Sequence, residues 1–263
     1  MIQKSTLLFA LCMVLFSCSS ESTDNTNEPT NDSTLLKKTI ETDSDGEKLT
    51  TNYTYDGNKL TNVIYDDGSK NTYTYENDKL IREDQFLEGE LAAYITLEYN
   101  ADKKVASFTE FWLEPSGIEG LVYKHVLTYN NDNTITNKVY RGDINSQTDL
   151  SVTQTITLDG KNITEIKDDN AGEYKLLYSY DNSNGIFKNI HAIEVLNLLS
   201  QNEFGAYING NSNNVTSFIE SSTSPNEFNK ETFEYTYNNS GYPIAAKSYF
   251  DGELDGSIEY FYE

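Results

Sequence analysis

Along most of this chain apolar and polar positions alternate with a period of two, and the alternation is broken at short intervals by Asp, Asn and Gly. Tyr53–Tyr75 shows the unit: Y-T-Y, then D-G-N-K-L, an apolar strand, a D-D-G turn, and Y-T-Y again. Residues two apart on a strand share a face, so Tyr53 and Tyr55 point the same way, and Asp56-Gly57-Asn58 supplies residues that tolerate a tight hairpin turn. Copies follow to the end of the chain. Their second facing position recurs at 55, 75, 99, 129, 158, 180, 209, 237 and 262, with spacings of 20 to 30 residues. The turn after each pair is held short, while the opposite connection varies. Leu91, Ala93, Ile95, Leu97 and Tyr99 share one strand face, as do Phe233, Tyr235 and Tyr237. Such patterning predicts an all-β fold of serial antiparallel hairpins.

Three stretches depart from simple alternation. Phe108–Leu113 is apolar on both faces, with Phe108 and Trp112 on one and Phe111 and Leu113 on the other; Leu121–Tyr129 and Tyr174–Tyr180 are also rich on both. Asn189–Ser200 carries the pattern of a mostly apolar helix, with Asn189 placed to cap it. Doubly apolar strands and an apolar helix both need cover. The expectation is therefore one strongly curled sheet with a single helix, near 189–200, packed on its concave side.

The first 34 residues read differently. Leu7–Phe16 is an unbroken apolar run of ten behind Lys4, too short to span a bilayer and suited to a signal peptide. It ends in Leu15-Phe16-Ser17-Cys18, which resembles a bacterial lipobox. On this reading residues 1–17 are a lipoprotein signal peptide, Cys18 is lipidated, residues 18–34 form a disordered tether, and 35–263 is the β-hairpin repeat domain. The tether, Ser19–Thr34, has no apolar side chain to dock it and would span roughly 20–25 Å. A serine after Cys18 suits an outer-membrane lipoprotein. The short serine-and-acid stretch resembles a surface-export signal, so the domain faces either the periplasm or the outside.

Charge narrows the partners. With the leader removed, 18 basic residues stand against 42 acidic ones, which argues against nucleic acid and anionic lipid as ligands. Both cysteines lie at or before position 18, so the domain has no disulfide and no cysteine metal cluster. Two histidines, His125 and His191, make no zinc site, and no G-x-S-x-G places a nucleophile. Glu41–Gly46 half-matches a calcium loop but has Asn52 where the twelfth-position Glu belongs, so it reads as a turn. The expectation is a non-catalytic binding or interaction module with no metal site.

The Y-x-Y-D-x-x-G/N-K-L unit is similar to the tyrosine–aspartate (YD) repeats of Rhs-type shell proteins. From Leu35 to Glu263 the chain also resembles a family of bacterial lipoproteins of unknown function. The shared marks are the D-S-D-G opening, the Y-x-Y-D-G-N-K-L copies, and Phe187-Lys188-Asn189-Ile190 leading into a leucine-rich helix. That resemblance implies a porphyrin ligand, making a small-ligand carrier the alternative to a surface module with a protein or glycan partner. It carries over no ligating residue. The residues themselves point to one rim. Varying connections such as Glu114–Gly120 gather there, and Phe111, Trp112, Tyr123 and His125 are expected to line a pocket between that rim and the helix.

Overall fold

Corners such as Asn77-Asp78 and Glu88-Gly89, with φ of 49° and 62° and of 52° and 85°, turn the chain through the left-handed backbone region that matches strand twist. The computed structural model describes residues 33–114, 119–169, 174–201, 212–221 and 228–263. Its strands are β1 (Leu36–Asp43), β2 (Lys48–Asp56), β3 (Lys59–Tyr65), β4 (Lys70–Glu76), β5 (Lys79–Leu87), β6 (Glu90–Tyr99), β7 (Val105–Leu113) and β8 (Glu119–Tyr129). There follow β9 (Thr134–Asp143), β10 (Ser146–Asp159), β11 (Asn162–Asp168), β12 (Lys175–Tyr180), β13 (Val215–Ser221), β14 (Phe228–Tyr237), β15 (Pro243–Phe250) and β16 (Glu253–Tyr262). One helix, α1 (Ile193–Leu199), lies between β12 and β13.

Each strand pairs antiparallel with its sequence neighbours, and β16 pairs with β1, so the sheet is a closed barrel of sixteen strands. This corrects the expectation of an open curled sheet. Thr39 lies opposite Tyr260 and Glu41 opposite Ile258, and the Glu263 amide donates to the Leu35 carbonyl at 3.1 Å. Closure leaves no row of unpaired backbone groups, which an open sheet of this length would present at both edges.

The repeat now has a structural meaning. Positions 55, 75, 99, 129, 158, 180, 237 and 262 fall at the ends of the eight even-numbered strands, all at one end of the barrel; position 209 lies outside the described residues. At seven of them the register shifts by a bulge, for example between Thr54 and Tyr55 and between Glu98 and Tyr99. At three of these positions the tyrosine hydroxyl reaches the preceding strand. Tyr55 donates to the Leu36 carbonyl at 2.7 Å, Tyr99 to Leu80 at 2.8 Å and Tyr180 to Ile163 at 2.6 Å. The lysine of the motif covers the ring. Lys59 lies 5.9 Å from the Tyr75 centroid, Lys79 4.9 Å from Tyr99 and Lys104 4.6 Å from Tyr129. The leucine of the same motif, as Leu36, Leu60 or Leu80, is fully buried.

The segment from Asp181 to Gln201 plugs that end of the barrel. It is mostly turns; α1 begins only at Ile193, because Ala192 sits in the left-handed region at φ 59°. The expected helix over 189–200 is thus shorter, and it lies inside a closed end instead of on an open concave face. Asn189 does not cap it. Its side-chain amide donates to the Thr34 carbonyl and to the Tyr242 hydroxyl, at 3.0 and 2.8 Å. The plug is laced to the turns by the His191 amide on the Asn58 carbonyl (2.8 Å), His191 Nε2 on the Asp78 carbonyl (2.7 Å) and the Asn184 side chain on Ser240 (2.7 Å). Beneath these bonds Ile190, Ile193, Leu196 and Leu199 join the buried cluster of inward strand residues.

Candidate functional site

Because partners across a ladder share a face, the core residues mark the inner wall. Tyr53, Tyr73, Ile95, Leu127, Ile156 and Tyr260 point inward, so their strand neighbours point outward. The outward positions include Thr50, Asn52 and Thr54 on β2, Lys70, Thr72 and Thr74 on β4, Glu165 and Lys167 on β11, Thr232 and Glu234 on β14, Lys247 on β15 and Glu259 on β16. Aromatic outward residues are interspersed among these charges. A wall facing hydrocarbon needs an apolar band, and each Lys or Arg near its middle costs about 2–4 kcal/mol. These outward positions are polar or charged, and the aliphatic and aromatic core lies inside, together with buried polar residues such as Asn71, Glu83, Glu110 and Asn137. No helix among the described residues is long and apolar enough to cross a membrane.

Among the described residues, two cavities lie against the plug. The first, about 270 Å³, lies against the plug residues Ile186 and Phe187. Its walls are Thr39 and Glu41 of β1, Tyr53 of β2, Glu231, Phe233 and Tyr235 of β14, and Ile258 and Tyr260 of β16. Between β14 and β16, the inward residues of β15 are the small Ala246 and Ser248, which leaves room for the hollow. Two carboxyl groups thus face aromatic rings. Barrel atoms crowd Glu41 although lumen water reaches it, and this burial raises its pKa; burial raises Glu231 as well, with Asp255 repelling its charge. Burial also pushes the Tyr53 and Tyr235 hydroxyls up, so the rings keep their protons. The second cavity, about 330 Å³, lies between α1 and the turns following β6, β8 and β10, with Val105, Ile135, Val195 and Leu198 inside and Lys103, Lys104 and Lys161 around it.

The residues expected to form one pocket do not lie together. Trp112, Tyr123 and His125 are on the inner wall, in line with Ala93, Glu110 and Phe108 across the ladders. Phe111 faces outward and stacks on Tyr94, ring centroids 4.4 Å apart and 12° from parallel. Arg82 covers that pair, its guanidinium 4.1 Å from the Tyr94 ring. None of the four lines either cavity. Cys18 lies outside the described residues. The loop Glu114–Gly120 is described only in part, and the Asp43–Gly46 corner is a hairpin turn in which Asp43 Oδ1 accepts from the Asp45 and Glu47 amides. Sequence reasoning missed Glu41 and Glu231. The signal was there: each shares the inward parity of its strand, Glu41 with Thr39 and Glu231 with Phe233 and Tyr235.

His125 is held in a buried polar chain. Nδ1 meets the Asn137 amide at 3.1 Å, and that amide also donates to Gln154 at 3.0 Å. Nε2 lies 3.6 Å from Glu110 Oε1, and Phe108 stacks on the ring at 4.1 Å. Asn137 on Nδ1, Glu110 beside Nε2 and Phe108 on one face thus enclose the ring. Burial lowers its pKa to about 4, the Asn137 contact opposing it only in part. The folded value therefore lies below the ordinary one, and between the two the unfolded chain binds the extra proton. The stability that the neutral ring contributes is complete above about pH 6.5 and drains away toward pH 4, by at most about 3 kcal/mol. In urea titrations across this range, His125→Gln, which keeps an amide for Asn137 but cannot titrate, should flatten that part of the pH dependence. An unchanged slope would place the proton elsewhere. Among the described residues no group of three or more His, Cys, Asp or Glu side chains is placed to hold a metal ion.

No protein-family model matches the sequence, and no curated protein does. Among solved structures, a porin-like protein from Bacteroides vulgatus superposes with a TM-score of 0.56 at 14% identity, over 88% of this chain and 99% of that one. A porin-like protein from Bacteroides uniformis aligns over 87% and 98%, also at 14% identity, with a TM-score of 0.38. The first shows a shared barrel fold.

Proposed function

We propose that this chain is a non-catalytic, small-ligand-binding lipoprotein, held at the outer membrane by a lipid on Cys18 while its barrel stands in water. The observation that carries this reading is the outer wall, along which Thr, Lys and Glu recur, while the aliphatic and aromatic core lies inside, with a hollow left against the plug. The porin-like name of the solved relative fits an outer-membrane setting, but a channel through lipid needs the opposite arrangement of faces. The anchor then supplies the membrane attachment that the wall does not. A hollow of about 270 Å³ lies at the small end of ligand pockets, below what a porphyrin macrocycle fills, so the ligand is read as a smaller molecule.

The test separates anchor from wall. Produced in a Gram-negative host, the wild-type protein should sediment with outer membranes and require detergent for release. A variant in which residues 1–18 are replaced by a cleavable secretory signal peptide without a lipobox should appear in the soluble periplasmic fraction with an unchanged β-sheet circular dichroism spectrum. If the folded variant stays with the membrane and still needs detergent, the barrel itself is embedded and this reading fails.

A further inference from the structure

We propose that the hollow beside the plug binds a small organic cation, a compact ammonium group carrying apolar or aromatic substituents; this rests on the reading of the lumen as a ligand site. Glu41 and Glu231 enter the hollow from β1 and β14, and among its lining residues there is no Lys, Arg or His to answer them. Half of the remaining lining is aromatic, Tyr53, Phe233, Tyr235, Tyr260 and, from the plug, Phe187, and most of the other half is aliphatic. Ring faces and carboxylates both attract positive charge, the ring more strongly where water is excluded from it. An anion meets two like charges there. A bare metal ion wants six or more oxygen ligands, which a mainly apolar hollow does not furnish. A substituted ammonium satisfies both halves of the lining at once, burying its carbons on the rings and its charge beside the carboxylates. The formal net charge of −23 draws cations toward the barrel at long range, and Asp43 and Asp255 continue the acidic lining beside Glu41 and Glu231 in an adjoining recess.

The probes are trimethylphenylammonium and its neutral isostere tert-butylbenzene, titrated by calorimetry into the full barrel at low salt. The wild-type protein should bind the cation at least tenfold more tightly than the isostere. Glu41→Gln/Glu231→Gln should remove that preference and leave isostere affinity unchanged, while Glu234→Gln, on the outer wall, should behave as wild type. Should the double variant fail to fold, Glu231→Gln alone should still lower the preference severalfold. If both probes bind equally and the glutamine variants change neither, the lumen is a ligand site but not a cation site, and this inference falls alone. If neither probe binds, the small-ligand reading of the lumen falls with it.

Discussion

A chain ending at Gly252 should have no cooperatively folded state. Its near-ultraviolet circular dichroism should be featureless, and urea should produce no unfolding transition. The missing strand, β16, pairs with β15 on one side and β1 on the other, so its loss opens the ring and bares two edges at once. It also takes away Tyr260, 7% exposed in the intact barrel, and the cover over Leu36, which is fully buried. Burying a large apolar side chain stabilises by about 1.5–3 kcal/mol. Two such residues and a strand's worth of ladder bonds account for much of a total stability of about 5–15 kcal/mol. An open curled sheet would lose only an edge hairpin and keep most of its transition. A truncated chain that still unfolds cooperatively near the wild-type midpoint would show that closure is not what holds the fold.

Next in size is the plug. Leu196→Ala and Leu199→Ala should each lower stability by about 2–5 kcal/mol, the range for emptying a packed leucine site. The two side chains are 2% and 1% exposed, and they sit where inward strand residues converge on α1, a place with little freedom to collapse. Because they share neighbours, the double variant should fall short of the sum of the two. Leu254→Ala, at a side chain 58% exposed, should cost less than about 0.5 kcal/mol and serves as the comparison. Urea midpoints at constant m-value would measure all four proteins. Losses below about 1 kcal/mol at both plug positions would mean that the segment rests on the barrel without sealing it.

Much of this architecture was legible one hairpin at a time. The Y-x-Y copies ending in Asp, Asn and Gly marked eight strand ends that the structure contains, and each marks a pair of strands. The roles of Lys59 and Leu60 in D-G-N-K-L were not legible, because the ring covered by the lysine belongs to the next hairpin, Tyr75 for Lys59, at 5.9 Å. For Phe108–Leu113 the alternation was right, but nothing local says which face turns inward. Tyr94 and Arg82 make an outward aromatic patch that reads, in one dimension, like core. Gathering Phe111 with Trp112, Tyr123 and His125 therefore mixed the two sides of one wall. The helix was overextended for a similar reason: Asn189 has the chemistry of a cap, yet bonds to Thr34 and Tyr242 drew its side chain away.

What the sequence determined by itself is what neighbouring residues decide together: strand period, turn positions and the pairing of each hairpin. These depend on backbone sterics and side-chain alternation within about twenty residues. Closure was decided only in the folded whole. It depends on the tilt and stagger summed around all sixteen strands, so that Thr39 meets Tyr260 across the full length of the chain. The luminal site shares that dependence, since Glu41 and Glu231 face one hollow only because the first and last strands meet.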